Sequence, residues 1–222
     1  MTETTLDDVR DRLVLAALDH IPFDGWSMKA LRHAAEDVGL DANAPERAFP
    51  HGVTGAVEHF TDLADRLMVA DLAGRGLDNM PMQARVEEAV RVRLERWAPH
   101  QEAVRRALTV YSLPQNLGAA AQATWRTVDL IWKAAGDRSG DFNWYTKRAS
   151  LAAVYSATVL YWLDDQSEGA EATWDFLRRR MGDVVAGIKM RREVTAKVQK
   201  AVERLPNPLS FLPRRPRRKR RV

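Results

Sequence analysis

The groups in this chain able to do chemistry are five histidines, a scatter of serines and two pairs of carboxylates. The histidines stand at His20, His33, His51, His59 and His100. A zinc hydrolase needs HExxH on a helix, and a di-iron bundle needs Glu-x-x-His sets on facing helices. Neither spacing occurs, and Glu58-His59 is only an adjacent pair. Ser139, Ser150 and Ser156 sit in no nucleophile-elbow pattern, and no phosphate-loop glycine motif is present. Asp137/Asp141 and Asp164/Asp165 are spaced for helix capping and solvation rather than for an acid–base dyad. There is no cysteine, which removes disulfides, thiolate metal sites and cysteine nucleophiles. The reading is therefore not an enzyme: no catalytic residue, no metal, no cofactor.

What the chain offers instead is apolar helix. Residues 5–20 place apolar groups at helical spacing, and Pro22 and Gly25 end the run. Ser27 caps a helix over 28–38 that Gly39 stops, and 41–49 reads as a short third helix halted by Pro50. This is the outline of a helix-turn-helix. Helices follow over 53–77, 85–97 (an amphipathic surface helix), 102–111, 117–135, 149–163 and 170–189, with a charged extension to about 204. No strand-like alternation and no repeat appear. The expectation is an all-α bundle of about nine or ten helices. Its parts are a helix-turn-helix module (1–50), a helical bundle (51–205) compact with it, and a basic tail (206–222).

The stretch Gly136–Asp165 organises the rest. Its second half, residues 149–163, holds no charge, so it reads as a helix buried on every side. At about 22 Å it is short for a bilayer, which needs roughly 20 residues. Lys147 and Arg148 stand where the helix dipole disfavours cations, so Asp137 and Asp141 are expected to pair with them, leaving Trp144 and Tyr145 beside a charged surface. The last helices also gather Trp125, Val128, Trp132, Tyr155, Val159, Trp162 and Trp174 among many alanines. Large against small packs either as solid core or around a tunnel for an apolar ligand, and the pattern admits both.

Charge sits at one end. The last nine residues hold seven bases and no acid, so the remaining 27 bases face 30 acids, and the net charge of +4 is a property of the tail. Leu209, Phe211 and Leu212 precede Arg214, Arg215, Arg217 and Arg218, an apolar anchor beside a polybasic run, as a peripheral membrane contact requires. A disordered basic tail or a nucleic-acid contact fits the same residues. The acidic N-terminus has no secretory pattern.

Two resemblances follow. GWSMKALRHAAEDVGLDANAPERAFPHGVTGAVEHF resembles the N-terminal module of TetR-type regulators, with Phe49-Pro50 closing the recognition helix. That helix has two acids, one base and Pro45, a poor set for reading bases. The run GDRSGDFNWYTKRASLAAVYSATVLYWLDDQSEGAEATWDFLRRR resembles the signature region of the Coq-nine family, lipid-binding accessory proteins of ubiquinone biosynthesis. Similarity extends from about residue 5 to about 190, with Gly25-Trp26, Ala30-Leu31, Ala34-Ala35, Gly39 and Phe49–Gly52 fitting too. This second resemblance implies a TetR-like fold whose helix-turn-helix does not serve DNA. It implies a cavity for an isoprenoid quinone precursor or phospholipid, and a patch that docks the di-iron demethoxyubiquinone hydroxylase. The patch would comprise Asp137, Ser139, Asp141, Asn143, Trp144 and Tyr145. It also implies no specific nucleic acid, the TetR-like fold implies a homodimer, and the missing presequence suggests a bacterial member peripheral on the cytoplasmic face of the inner membrane. The competing reading is a DNA-binding regulator of TetR type with an apolar ligand pocket.

Overall fold

The computed structural model describes residues 5–138 and 142–203, with side chains placed at 5–138 and 144–187. Among these residues there are ten α-helices and no strand: α1 Leu6–Ala17, α2 Ile21–Asp24, α3 Met28–Asp37, α4 Ala44–Ala48, α5 Gly52–Leu72, α6 Met82–Glu95, α7 Gln101–Tyr111, α8 Leu117–Ala134, α9 Phe142–Asp164 and α10 Glu171–Glu203. None of them is long and apolar enough to cross a membrane. The chain divides into two units, Met1–Met181 and Gly182–Val222. In the second, the described residues are the continuation of α10 to Glu203.

Local chemistry sets the boundaries. Thr5 and Asp8 form a reciprocal capping box at α1. Ser27 Oγ accepts from the Ala30 N–H at 3.1 Å to start α3. Gly39, at φ +67°, lets the chain turn out of α3 where a side chain would be strained. The residues after α1 add one short helix, α2, because Pro22 falls in its first turn, where a missing N–H costs nothing. Pro45 likewise lies at the start of α4 rather than inside a longer helix from 41. α5 stops at Leu72, and Pro81 stands just before α6.

In the first unit, α1, α3 and α4 enclose Leu13, Val14, Ala17, Leu31, Ala34, Ala35, Ala48 and Phe49, all buried. A line of aromatic rings joins this module to the bundle. Trp26 and Phe60 lie 5.3 Å apart, Phe60 and Trp97 4.8 Å, and the Trp26 indole N–H donates to the Ala103 carbonyl. α5, α6, α7, α8 and α9 then pack around a shared interior.

Two expectations change here. α9 is not buried all round: Ala149, Ala153, Ser156, Leu160 and Tyr161 lie on an exposed face. Small uncharged residues carry no signal of which side meets water, so the absence of charge was a poor guide. α6 is not a simple surface helix either, because Arg93 turns inward with Val86, Ala89, Val90 and Leu94.

Candidate ligand cavity and aromatic shoulder

The shared interior holds a cavity of about 330 Å³. α5 supplies Phe60, Thr61 and Ala64, and α6 supplies Arg93 and Leu94, with Trp97 just beyond. α7 adds Val104, Ala107, Leu108 and Tyr111, α8 adds Ala123, Thr124 and Thr127, and α9 adds Tyr155, Ser156, Val159 and Leu160. Most of this wall is apolar. Phe60, Ala64, Arg93, Leu94 and Trp97 are buried, whereas Ser112, Ser156 and Leu160 are exposed, so the cavity opens where α7 ends beside α9.

One side of the wall is polar and ionised. Asp65 has no solvent exposure. Its carboxylate accepts from Arg93 Nε at 2.8 Å and from Thr127 Oγ1 at 3.0 Å, with Arg126 Nε at 3.5 Å. The Arg93 guanidinium lies over the Tyr155 ring, 5.5 Å from its centroid. Burial pushes the Tyr155 phenol above its ordinary pKa, so it is a protonated donor at neutral pH. Tyr111 is raised for the same reason, and its hydroxyl meets Thr61 Oγ1 at 3.1 Å.

Of the aromatic and aliphatic residues expected around a ligand, Tyr155 and Val159 line this cavity. Trp125, Val128, Trp132, Trp162 and Trp174 do not. Val128 and Trp162 are sealed in solid core. Trp132 donates to the Lys147 carbonyl at 3.3 Å, and Trp174 to the Gly169 carbonyl at 2.8 Å, each pinned to a neighbouring backbone. Trp125 packs against Trp144 at 5.7 Å. Arg93, Asp65 and Thr127 were missed. The available signal was phase: Asp65 follows Ala64 on the buried side of α5, and Arg93 falls three residues after Val90 on the buried side of α6.

A second constellation lies at the start of α9. Arg148 is buried. Its Nε donates to Asp129 Oδ1 at 2.6 Å, its Nη1 to Asp137 Oδ2 at 3.2 Å, and its guanidinium stacks 4.1 Å from the Trp144 ring. Lys147 Nζ reaches Asp137 Oδ1 at 2.8 Å. Burial pushes Asp129 up, but hydrogen bonds from Lys133 and Arg148 outweigh it and hold the carboxyl below its usual range. Trp144 is half-buried and Tyr145 is 62% exposed, their rings 4.7 Å apart. Of the expected patch, Trp144 and Tyr145 are in contact, and Asp137, its side chain 4% exposed, is tied to Trp144 through Arg148. Ser139 and Asp141 lie outside the described residues, as does the Asn143 side chain. So do Leu209, Phe211, Leu212, Arg214, Arg215, Arg217 and Arg218.

In the helix-turn-helix, α4 has only five residues. Glu46 is held by Arg32 and Arg47 by Asp41, which occupies both of its charged side chains. No group of three or more His, Asp or Glu that would hold a metal occurs among the described residues.

The architecture has a solved counterpart. The TetR transcriptional regulator from Nitrosomonas europaea ATCC 19718 aligns with a TM-score of 0.65 at 18% identity, over 79% of this chain and 97% of that one, so the fold is TetR-like. A family model described as COQ9 matches residues 117–187. The chain is 34% identical over 188 residues to "Ubiquinone biosynthesis protein COQ9, mitochondrial" of Drosophila melanogaster, covering 82% of this chain and 57% of that protein. It is 32% identical over 186 residues to the protein of the same name from Homo sapiens, covering 81% and 58%. The chain belongs to the COQ9 family, and it spans somewhat more than half the length of the curated relatives it matches.

Proposed function

We propose that this chain is a non-catalytic, lipid-binding protein of ubiquinone biosynthesis that takes up an isoprenoid quinone precursor and makes it available to the di-iron demethoxyubiquinone hydroxylase. The observation that carries the reading is the cavity among α5 to α9, whose wall is mostly apolar and opens at one end. Pockets of this kind between bundle helices suit apolar ligands. The names of the relatives supply the pathway. A polyprenylated precursor is almost insoluble in water, so an enzyme acting on it gains from a carrier that shields the chain.

The shoulder of Asp137, Trp144 and Tyr145 docks the hydroxylase. The protein works as a homodimer, peripheral on a membrane surface, without a resident cofactor. Recognition of DNA by α4 is disfavoured by its length and by the ion pairs that hold Glu46 and Arg47.

The test is mass spectrometry of organic extracts from the full chain purified out of membrane-containing cells. Isoprenoid quinone precursor or phospholipid is expected in stoichiometric amount, and repeatedly empty extracts overturn the carrier role. In parallel, Trp144→Asp is expected to weaken capture of the hydroxylase, and Tyr145→Asp, at the 62% exposed ring, to weaken it with the helical signal and melting temperature near wild type. Unchanged capture removes the shoulder from the interface.

A further inference from the structure

We propose that Arg93 and Tyr155 form a polar subsite inside the cavity that receives the oxygen-bearing ring of the ligand, its isoprenoid chain leaving through the mouth beside Leu160. This rests on the carrier reading and deepens it, because it names which end of the molecule enters and which chemistry is selected.

Arg93 lines the cavity, and its side chain is only 8% exposed. Its sole hydrogen bond among the described residues is from Nε to Asp65, which leaves the Nη1 and Nη2 groups with four N–H donors and no acceptor. The Tyr155 hydroxyl, on the same wall, likewise has no hydrogen-bond partner among the described residues, although the residue is 8% exposed. Trp97 also lines the cavity, but through its ring, because its Nε1–H is buried away from the open space. Buried polar groups are ordinarily paired, because an unpaired one loses its water without regaining a partner. Arg93 and Tyr155, the guanidinium 5.5 Å from the ring centroid on the cavity wall, have donors to spare there, which suits a ligand that supplies acceptor oxygens.

Charge narrows the class. Asp65 pairs with Arg93, and Arg126, which also reaches Asp65, has Asp62 as a second acid, so the subsite presents donors without a surplus positive charge. A carboxylate or phosphate brought there would lack a counter-ion, whereas a neutral carbonyl, ether or phenol oxygen needs none. This favours a quinone-type ring over a fatty acid or a phospholipid head.

Volume limits how much of the ligand enters. A cavity of about 150 Å³ takes one benzene, so about 330 Å³ takes roughly two such groups. A substituted ring and about one five-carbon isoprene unit fill it, and a longer chain must pass out between Ser112, Ser156 and Leu160. The exposed apolar side chain of Leu160 suits that exit. Delivery then occurs by withdrawal through the mouth, not by a ring carried on the outer surface.

The experiment titrates the full chain, stripped of lipid, and reads quenching of tryptophan fluorescence. Three probes are compared: a dimethoxy-methyl-benzoquinone bearing two isoprene units, the hydrocarbon farnesene, and palmitate. The wild type is expected to bind the quinone about tenfold more tightly than farnesene, the worth of one to two hydrogen bonds. Tyr155→Phe, which removes one oxygen and keeps the ring, is expected to erase most of that preference with farnesene affinity unchanged. Should Tyr155→Phe leave the preference intact, the double variant Arg93→Met/Asp65→Leu, which removes the pair together, must abolish it. Equal affinity for quinone and farnesene in the wild type, tightest binding by palmitate, or a preference that survives both variants overturns the subsite while leaving the carrier role standing. Failure of every probe to bind overturns both.

Discussion

Arg93 Nε donates to Asp65 Oδ1 at 2.8 Å inside the bundle, linking α6 to α5 with both side chains almost shut off from water. The pair costs desolvation on each side and regains it through mutual attraction and through the Thr127 hydroxyl, which also donates to Asp65. An interior ion pair is therefore a feature that the fold can lose as a unit more easily than by halves.

Arg93→Met alone is expected to destabilise the protein by about 3 kcal/mol, because it leaves a buried carboxylate with only the Thr127 hydroxyl and the more distant Arg126 to compensate it. Asp65→Leu alone should cost a similar amount. The double variant should be more stable than either single one. Urea denaturation of the three variants followed by circular dichroism checks this, and simple addition of the two single losses would contradict it.

Arg148 makes the corresponding prediction at the shoulder. Its planar guanidinium serves Asp129, Asp137 and the Trp144 face at once. A lysine ammonium has neither the fork nor the flat surface to do so. Arg148→Lys is expected to lower stability by about 1–3 kcal/mol, as expected for a buried charged group that loses part of its hydrogen bonding. It should also loosen Trp144, seen as a red-shifted tryptophan emission. A variant with wild-type melting temperature and emission would show that the stacking holds nothing in place.

How far these features were readable differs between them. The capping of α3 by Ser27 and its stop at Gly39 follow from residue type alone, because both depend on the nearest three or four residues. The meeting of Asp137 with Lys147 and Arg148 followed from placing cations at a helix start and asking what neutralises them. Arg93 and Asp65 did not emerge, because composition puts charge outside and only the phase of each helix shows otherwise. The tryptophans failed as markers of the cavity for a physical reason: a large ring fills space, and Trp162 and Trp132 fill it completely enough to leave none. The gap opens where Ala64, Ala107, Ala123 and Thr124 face Phe60, Trp97, Tyr111 and Tyr155, small residues that leave space beside large ones.

Acid stability should carry the signature of Asp165. Burial raises this carboxyl, but hydrogen bonds from the Thr173 hydroxyl and from the backbone N–H groups of Ser167 and Thr173 outweigh it and bring its pKa down to about 2. The unfolded value is about 3.9. A folded pKa below the unfolded one stabilises the fold above pH 4, and that contribution is lost as pH falls toward 2. Asp165→Asn should be less stable at pH 7, and its stability should fall less steeply than that of wild type between pH 4 and pH 2. Parallel curves for the two proteins would remove Asp165 from the acid response.

Filling the chamber separates binding from folding. Ala123 is buried in the α8 wall and faces space rather than a packed neighbour. Ala123→Leu puts three more carbons there, and cavity-filling of this kind commonly adds about 0.5–2 kcal/mol. If the space exists to hold a ligand, the same change removes room for the ring. The variant is therefore expected to melt higher than lipid-free wild type and to carry less lipid after purification. Lipid content by mass spectrometry, set beside the melting temperature, decides it. A variant that is more stable yet equally loaded would place the lipid outside this chamber, whereas one that is less stable would show that the wall cannot accept the added bulk.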